Sequence, residues 1–94
     1  MPFVKSLAID LAPKGVRVNM VSPGSIYEEG NTWGREHKAN SERYKQTLAK
    51  NPMGRMGTPG EVANAVVFLA SPRASFITGT NLIIDGALTQ RVQF

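Results

Sequence analysis

Two short apolar runs, Val16 to Val21 and Leu82 to Ile84, set the limits on what this 94-residue chain can fold into. The first carries the β-branched residues Val16, Val18 and Val21, which favour a strand. The second is continuously apolar, the pattern of a strand covered on both faces. A helical segment lies between them, and a strand joined through a helix to another strand pairs in parallel by a right-handed crossover. Parallel sheets need both faces covered and more than two strands. The chain therefore reads either as a piece of a larger α/β fold or as a unit that assembles with copies of itself or with another chain.

In order along the chain, Met1 to Ala12 reads as a helix, with Phe3, Val4, Leu7, Ala8 and Leu11 on one apolar stripe. Pro13-Lys14-Gly15 stops it. The first strand ends in Ser22-Pro23-Gly24. Pro23 lacks a backbone donor and fixes φ, so the ladder is expected to stop there. Gly24 lets the chain turn sharply and lie close to another molecule. Ligands of open α/β sheets bind beyond the carboxyl ends of the strands. This Pro-Gly is thus either a wall of a binding crevice or an ordinary turn.

Residues 25–51 are polar and read as irregular, with Ile26, Tyr27 and Trp33 as apolar anchors. Ser41 to Lys50 forms a short helix capped by Asn40 or Ser41, with Tyr44 and Leu48 as its inner edge. An insertion of this length is a functional loop or a linker, and its aromatics favour a lid. Thr58-Pro59-Gly60-Glu61 fits a capping box with proline at the first helical position. The helix it opens runs to about Ser71, before Pro72, and is apolar nearly all round, so it should be buried on more than one side. Asn81 to Asp85 is the second strand and Asp85-Gly86 a turn. Ala87 to Phe94 is a tail whose Leu88, Val92 and Phe94 can dock.

Composition removes several classes. There is no cysteine, which excludes disulfides and thiolate metal sites and fits a reducing compartment such as the cytoplasm. The single histidine, His37, stands among charged residues and reads as solvated, so no metal site is expected. No apolar run approaches the ~18 residues of a membrane span, and no membrane partner is expected. The net charge of +4 admits an anionic partner. Arg35, Lys38, Arg43, Lys45 and Lys50 make residues 25–51 basic, which is a solvated helix face or a phosphate contact. The apolar helix after Thr58 and the lack of a recognition-helix pattern speak against nucleic acid. Asn19 reads as a structural hydrogen-bonding residue or a ligand contact, with the structural role favoured, and Arg55 as a local salt-bridge or loop anchor in preference to a catalytic group.

Several motifs then occur in one order: Lys5-Ser6-Leu7-Ala8 with Asp10-Leu11-Ala12, Gly15-Val16-Arg17-Val18-Asn19, and Val21-Ser22-Pro23-Gly24. Arg55, Gly57, Pro59 and Glu61 follow, then Phe68-Leu69-Ala70-Ser71, Ile77-Thr78-Gly79 and Asp85-Gly86. In this order and spacing the chain resembles the C-terminal portion of the short-chain dehydrogenase/reductase family. The resemblance covers nearly the whole chain apart from the lid and the tail.

The resemblance implies a Rossmann-type parallel sheet binding NAD or NADP, with residues 1–94 as the C-terminal part of one domain and 25–51 as its substrate lid. Pro23 and Gly24 would line the nicotinamide pocket, and Ile26 would contact the carboxamide through its backbone. Tyr27 and Trp33 would face a small-molecule substrate. Many members carry threonine four residues beyond the glycine, where this chain has Glu28, and many have a second glycine where this chain has Ala87. The family's glycine-rich turn and its catalytic serine, tyrosine and lysine belong upstream of the part that matches Met1, so no catalytic residue is expected here. The implied function is the nicotinamide-side and lid part of an NAD(P)-dependent oxidoreductase acting on a carbonyl or alcohol, inactive as an isolated chain. The competing reading is a non-enzymatic self-association or subunit-assembly module.

Overall fold

The computed structural model describes residues 2–89. Helix α1 spans Pro2–Leu11, strand β1 Met20–Pro23, helices α2 and α3 Thr32–Lys38 and Glu42–Lys50, helix α4 Pro59–Ala70 and strand β2 Asn81–Ile84. The two strands pair in parallel with Met20 opposite Asn81 and Pro23 opposite Ile84. This is the mixed α/β arrangement with a small parallel sheet that the strand–helix–strand order requires.

Two details of β1 differ from expectation. The strand begins at Met20, not Val16, because the residues before it are held partly through side chains. Asn19 Nδ2 donates to the Ile77 carbonyl at 2.9 Å, and Asn19 Oδ1 accepts from the Thr80 amide at 3.1 Å. The Val18 amide donates to Thr78 Oγ1 at 3.0 Å. Asn19 is thus the structural residue that its pattern suggested. The ladder also runs through Pro23. Met20 N donates to Thr80 O at 2.9 Å and Gly24 N to Ile84 O at 2.8 Å, four residues apart on the same side of the strand. Donors alternate along a parallel strand, so the nitrogen of Pro23 faces away from β2 and its missing N–H removes no ladder bond.

The region read as irregular contains α2, which sequence periodicity did not reveal. Asn31 caps it, accepting from Gly34 N at 2.8 Å. Ser41 caps α3, accepting from Tyr44 N at 3.0 Å. Helix α4 starts with the expected capping box: Thr58 Oγ1 accepts from Glu61 N at 3.2 Å, and Thr58 N donates to Glu61 Oε1 at 2.9 Å.

The apolar interior is thin. Among the described residues, Ala8, Met56, Leu69 and Ala74 are the buried hydrophobics. Helix α4 is not buried on more than one side within this chain: Val66, Val67 and Phe68 are exposed, Val67 by 67%. Phe3 and Phe76 are also exposed, and Leu82 on β2 is 37% exposed. The radius of gyration is 16.1 Å, against about 12 Å for a compact domain of this length. Two strands leave too little apolar surface to cover these helices. No helix among the described residues is long and apolar enough to cross a membrane. Leu88 is half-buried and its amide donates to Asp85 O at 3.2 Å; Val92 and Phe94 lie outside the described residues.

Candidate functional site

Parallel pairing brings the carboxyl ends of β1 and β2 side by side, and the residues that follow them define the site. Gly24 follows β1 and Asp85 follows β2. A Cβ at Gly24 would lie 2.7 Å from Asp85 Cβ and 3.0 Å from its Cα. Glycine is required there by close approach to the neighbouring strand, with the backbone in an ordinary conformation rather than a left-handed turn.

Beyond Gly24 the chain makes one more parallel bridge, Ile26 with Gly57. Gly57 N donates to Ser25 O at 3.0 Å and Tyr27 N to Gly57 O at 2.9 Å. Gly57 allows this approach, since a Cβ on it would meet Ile26 Cδ1 at 2.9 Å. The peptide groups of Ile26 point the other way. Its carbonyl accepts from Asn31 Nδ2 at 3.0 Å, and its N–H has no hydrogen-bond partner among the described residues. An N–H donor two residues beyond Gly24 can meet a carboxamide, whose oxygen is an acceptor. The residues present therefore fit the nicotinamide end of a dinucleotide.

Tyr27 and Trp33 stand in different surroundings. Tyr27 meets His37 edge-on, with ring centroids 5.4 Å apart, and its hydroxyl is 3.4 Å from His37 Nδ1. His37 in turn lies 5.0 Å from the Tyr44 ring. The exposed His37 is thus solvated, as its neighbours in sequence suggested, and also joins α2 to α3. Trp33 sits on α2 under the Arg43 guanidinium, 5.0 Å from the ring centroid. Lys38 pairs with Glu29 at 3.0 Å, so part of the basic run is locally neutralised.

A cleft of about 240 Å³ runs along β2 and past its end, lined by Leu82, Ile84 and Asp85 together with Asn51, Arg55 and Glu61 among others. Pro23, Gly24 and Ile26 do not line it. Its polar groups are largely satisfied internally. Arg55 grips Glu61 with two nitrogens at 2.8 and 2.9 Å. That grip, followed by the Thr58 amide, holds the Glu61 carboxyl down at about 2 and raises the Arg55 guanidinium above its usual value. Thr89 and the Ala87 amide hold the Asp85 carboxyl below its ordinary range. These are paired structural groups, without the mismatched acid and base of a proton-transfer site.

Asn31, Gly57 and Asp85 are site residues that sequence reading did not single out as such. Asn31 carries a signal, since asparagine is a strong helix N-cap. Gly34 three residues later hid the helix it caps.

The strand–helix–strand unit with its two strands parallel fits an α/β fold of Rossmann type, in which ligands bind beyond the carboxyl ends of the strands. Comparison with known proteins narrows this. Residues 2–89 match the family model described as Enoyl-(Acyl carrier protein) reductase. The isoepoxydon dehydrogenase patN of Penicillium expansum is 46% identical over 94 residues, all of this chain and 36% of that protein. The 3-oxoacyl-[acyl-carrier-protein] reductase FabG of Buchnera aphidicola subsp. Schizaphis graminum is 45% identical over 86 residues, 92% of this chain and 33% of that one. An NADPH-bound short chain oxidoreductase of Pseudomonas aeruginosa PAO1, described as containing an atypical catalytic center, superposes with a TM-score of 0.81 at 35% identity. It covers 97% of this chain, which in turn covers 36% of it. The chain belongs to the short-chain dehydrogenase/reductase family and matches its C-terminal portion. It spans about a third of the length of the curated relatives it matches.

Proposed function

We propose that this chain forms the nicotinamide-side wall and the substrate lid of an NAD(P)-dependent oxidoreductase acting on a carbonyl or alcohol. Residues 1–94 are the C-terminal part of one dinucleotide-binding domain, and residues 25–51 are its lid. The observation that carries the reading is Ile26, whose carbonyl accepts from Asn31 while its N–H has no hydrogen-bond partner among the described residues, three positions beyond β1. The cofactor supplies or accepts the hydride when bound. This chain's part is to seat and shield. Pro23 presents an apolar ring, the Ile26 N–H orients the carboxamide, and Tyr27 and Trp33 on the lid bound the substrate. No residue of this chain is assigned proton transfer, and the 94 residues alone are inactive. Relatives described as a dehydrogenase and a reductase, and a structural neighbour described as NADPH-bound, support the class of reaction.

The test joins this chain to the preceding two thirds of the Penicillium expansum relative and measures NADH and NADPH binding by nicotinamide fluorescence. Binding by the folded chimaera and none by the 94-residue chain is the expected result. A folded chimaera that binds neither cofactor sinks the proposal.

A second reading has its own observation. Phe3, Val67, Phe68 and Phe76 are each exposed, which suits a self-association or subunit-assembly module. Light scattering on the 94-residue chain separates the cases. A discrete oligomer that persists in the chimaera favours assembly, whereas an oligomer of the 94-residue chain that gives way to a monomeric chimaera favours the oxidoreductase.

A further inference from the structure

We infer that Asn31 is a positioning residue that ties the Ile26 peptide to lid helix α2, so that the lid and the nicotinamide-facing backbone move as one body. The inference rests on the reading of Ile26 proposed above.

One side chain makes both connections. Asn31 Nδ2 donates to Ile26 O at 3.0 Å, and Asn31 Oδ1 accepts from Gly34 N at 2.8 Å. The two partners fix the amide orientation, because a carbonyl only accepts and an amide N–H only donates. The Asn31 backbone adds a third tie, its N–H donating to Glu28 O at 3.1 Å. Gly30, at φ +89°, makes the reversal that returns the chain onto Ile26. Helix α2 then sits directly on the loop: Gly34 is buried, and a Cβ there would run into the Glu28 carbonyl oxygen. Ile26 is held from its opposite side by the bridge to Gly57. Its peptide plane is therefore clamped between the segment leading into α4 and the cap of the lid helix. The N–H that faces the carboxamide belongs to that plane's neighbour on the strand side, so tilting the Ile26 carbonyl re-aims it.

The clamp explains why a seven-residue helix with glycine inside it stands at this point of the lid. A helix so short has little stability of its own. Its capping residue is also the residue that holds the cofactor-facing backbone. Lid order and cofactor seating thereby share one hydrogen-bonded link, and displacement of α2 releases the Ile26 carbonyl.

The experiment separates capping from clamping. Asn31→Asp keeps an oxygen for the Gly34 amide and is an equally good N-cap, but it replaces the Nδ2 donor with an acceptor facing the Ile26 carbonyl. Asn31→Ala removes both functions. Amide hydrogen exchange is followed by NMR on the folded chimaera, at Tyr27, whose N–H bonds Gly57 O, and at Gly34. In N31D, Tyr27 exchange should speed up about three- to tenfold, the change that one neutral hydrogen bond carries, while Gly34 keeps its protection. In N31A both should be lost. In the chimaera, N31D should weaken NADH or NADPH binding by the same about three- to tenfold with α2 intact. Unchanged Tyr27 exchange in N31D overturns the clamp. Accelerated exchange with unchanged cofactor affinity overturns its coupling to the cofactor. If the wild-type chimaera binds no cofactor while Tyr27 still responds, the oxidoreductase reading falls and the clamp itself stands.

Discussion

The guanidinium of Arg17 lies 2.6 Å from the carbonyl oxygen of Leu69, at the last turn of α4. The same group reaches Ser71 O at 3.3 Å and Ile77 O at 3.4 Å. The final carbonyls of a helix have no partner within it, and a cation there also meets the negative end of the helix dipole. Arg17 thus fastens the segment before β1 to the end of α4 and to the segment before β2. Arg17→Ala should destabilise the chain by about 1–3 kcal/mol, since it leaves the Leu69 carbonyl unpaired, while Ile77 O keeps Asn19 Nδ2 and Ser71 O keeps the Ala74 amide. Arg17→Lys should recover part of this, because an ammonium cannot fork between carbonyls as a guanidinium does. Urea unfolding of the three proteins at pH 7 checks the order.

Arg55 and Glu61 make the start of α4 sensitive to acid. The Glu61 carboxyl is held at about 2, against an ordinary value of 4.5, first by Arg55 and then by the Thr58 amide. A carboxyl depressed in the folded chain contributes stability that is complete above its unfolded value and disappears as pH falls through its folded value. The loss should therefore fall between about pH 4.5 and about pH 2. Glu61→Gln keeps an acceptor for the Thr58 amide but does not titrate. Circular dichroism during acid titration should show a smaller loss of helix in E61Q over this window. The pair is exposed, so added salt should narrow the difference between the two proteins.

What the sequence made legible was whatever local chemistry decides. The capping box at Thr58 depends on four consecutive residues and formed as read. So did the turn at Asp85-Gly86 and the parallel pairing forced by a strand–helix–strand order, and of the two cap candidates for α3, Asn40 and Ser41, Ser41 caps it. The start of β1 was not legible, because Asn19 replaces ladder bonds with side-chain bonds to residues about sixty positions away. Pro23 misled for a related reason. Whether its missing N–H matters depends on which side of β1 the partner lies, and the sequence alone does not say. Helix α2 was hidden because Gly34 is there for contact with the Glu28 carbonyl and not for helix propensity. The role proposed for Ile26 came from resemblance to a family; that its N–H has no partner among the described residues became visible only with the bridge to Gly57 in place.

Ala87 carries a strain that its neighbour does not. It has φ +69°, in the left-handed region, directly after Gly86 at φ +64°. A side chain in that region costs roughly 1–2 kcal/mol, partly offset by the greater freedom glycine has when unfolded. Ala87→Gly should stabilise the chain by about 0.5–1 kcal/mol. Gly86→Ala should do the opposite and more strongly, because its Cβ would also lie 2.7 Å from Asn51 Oδ1, on a buried asparagine. Thermal midpoints of the two variants should move in opposite directions. A rise in both would mean that the Asp85–Thr89 turn is not held in this conformation.

Gly24 offers the sharpest test of how the two strand ends are joined. Its N–H donates to Ile84 O at 2.8 Å, and the space where its Cβ would be is taken by Asp85. The contact is with Cα and Cβ of Asp85, directly after β2, which cannot swing aside as the far end of a flexible side chain would. Gly24→Ala must therefore push the ends of β1 and β2 apart or break the Gly24–Ile84 bond. The cost should be about 1–3 kcal/mol, as for other insertions into close-packed positions. The displacement is local, and it falls one residue after Pro23 and two before Ile26. In the chimaera, G24A should weaken NAD(P)H binding beyond what its lower stability explains, measured well below the unfolding temperature. Asp85→Gly, which removes the opposing Cβ, should restore part of the affinity in the double variant even though it forfeits the turn bonds to Ala87 and Thr89. Full affinity in G24A alone would show that the approach of these strand ends does not set the position of the cofactor-facing backbone.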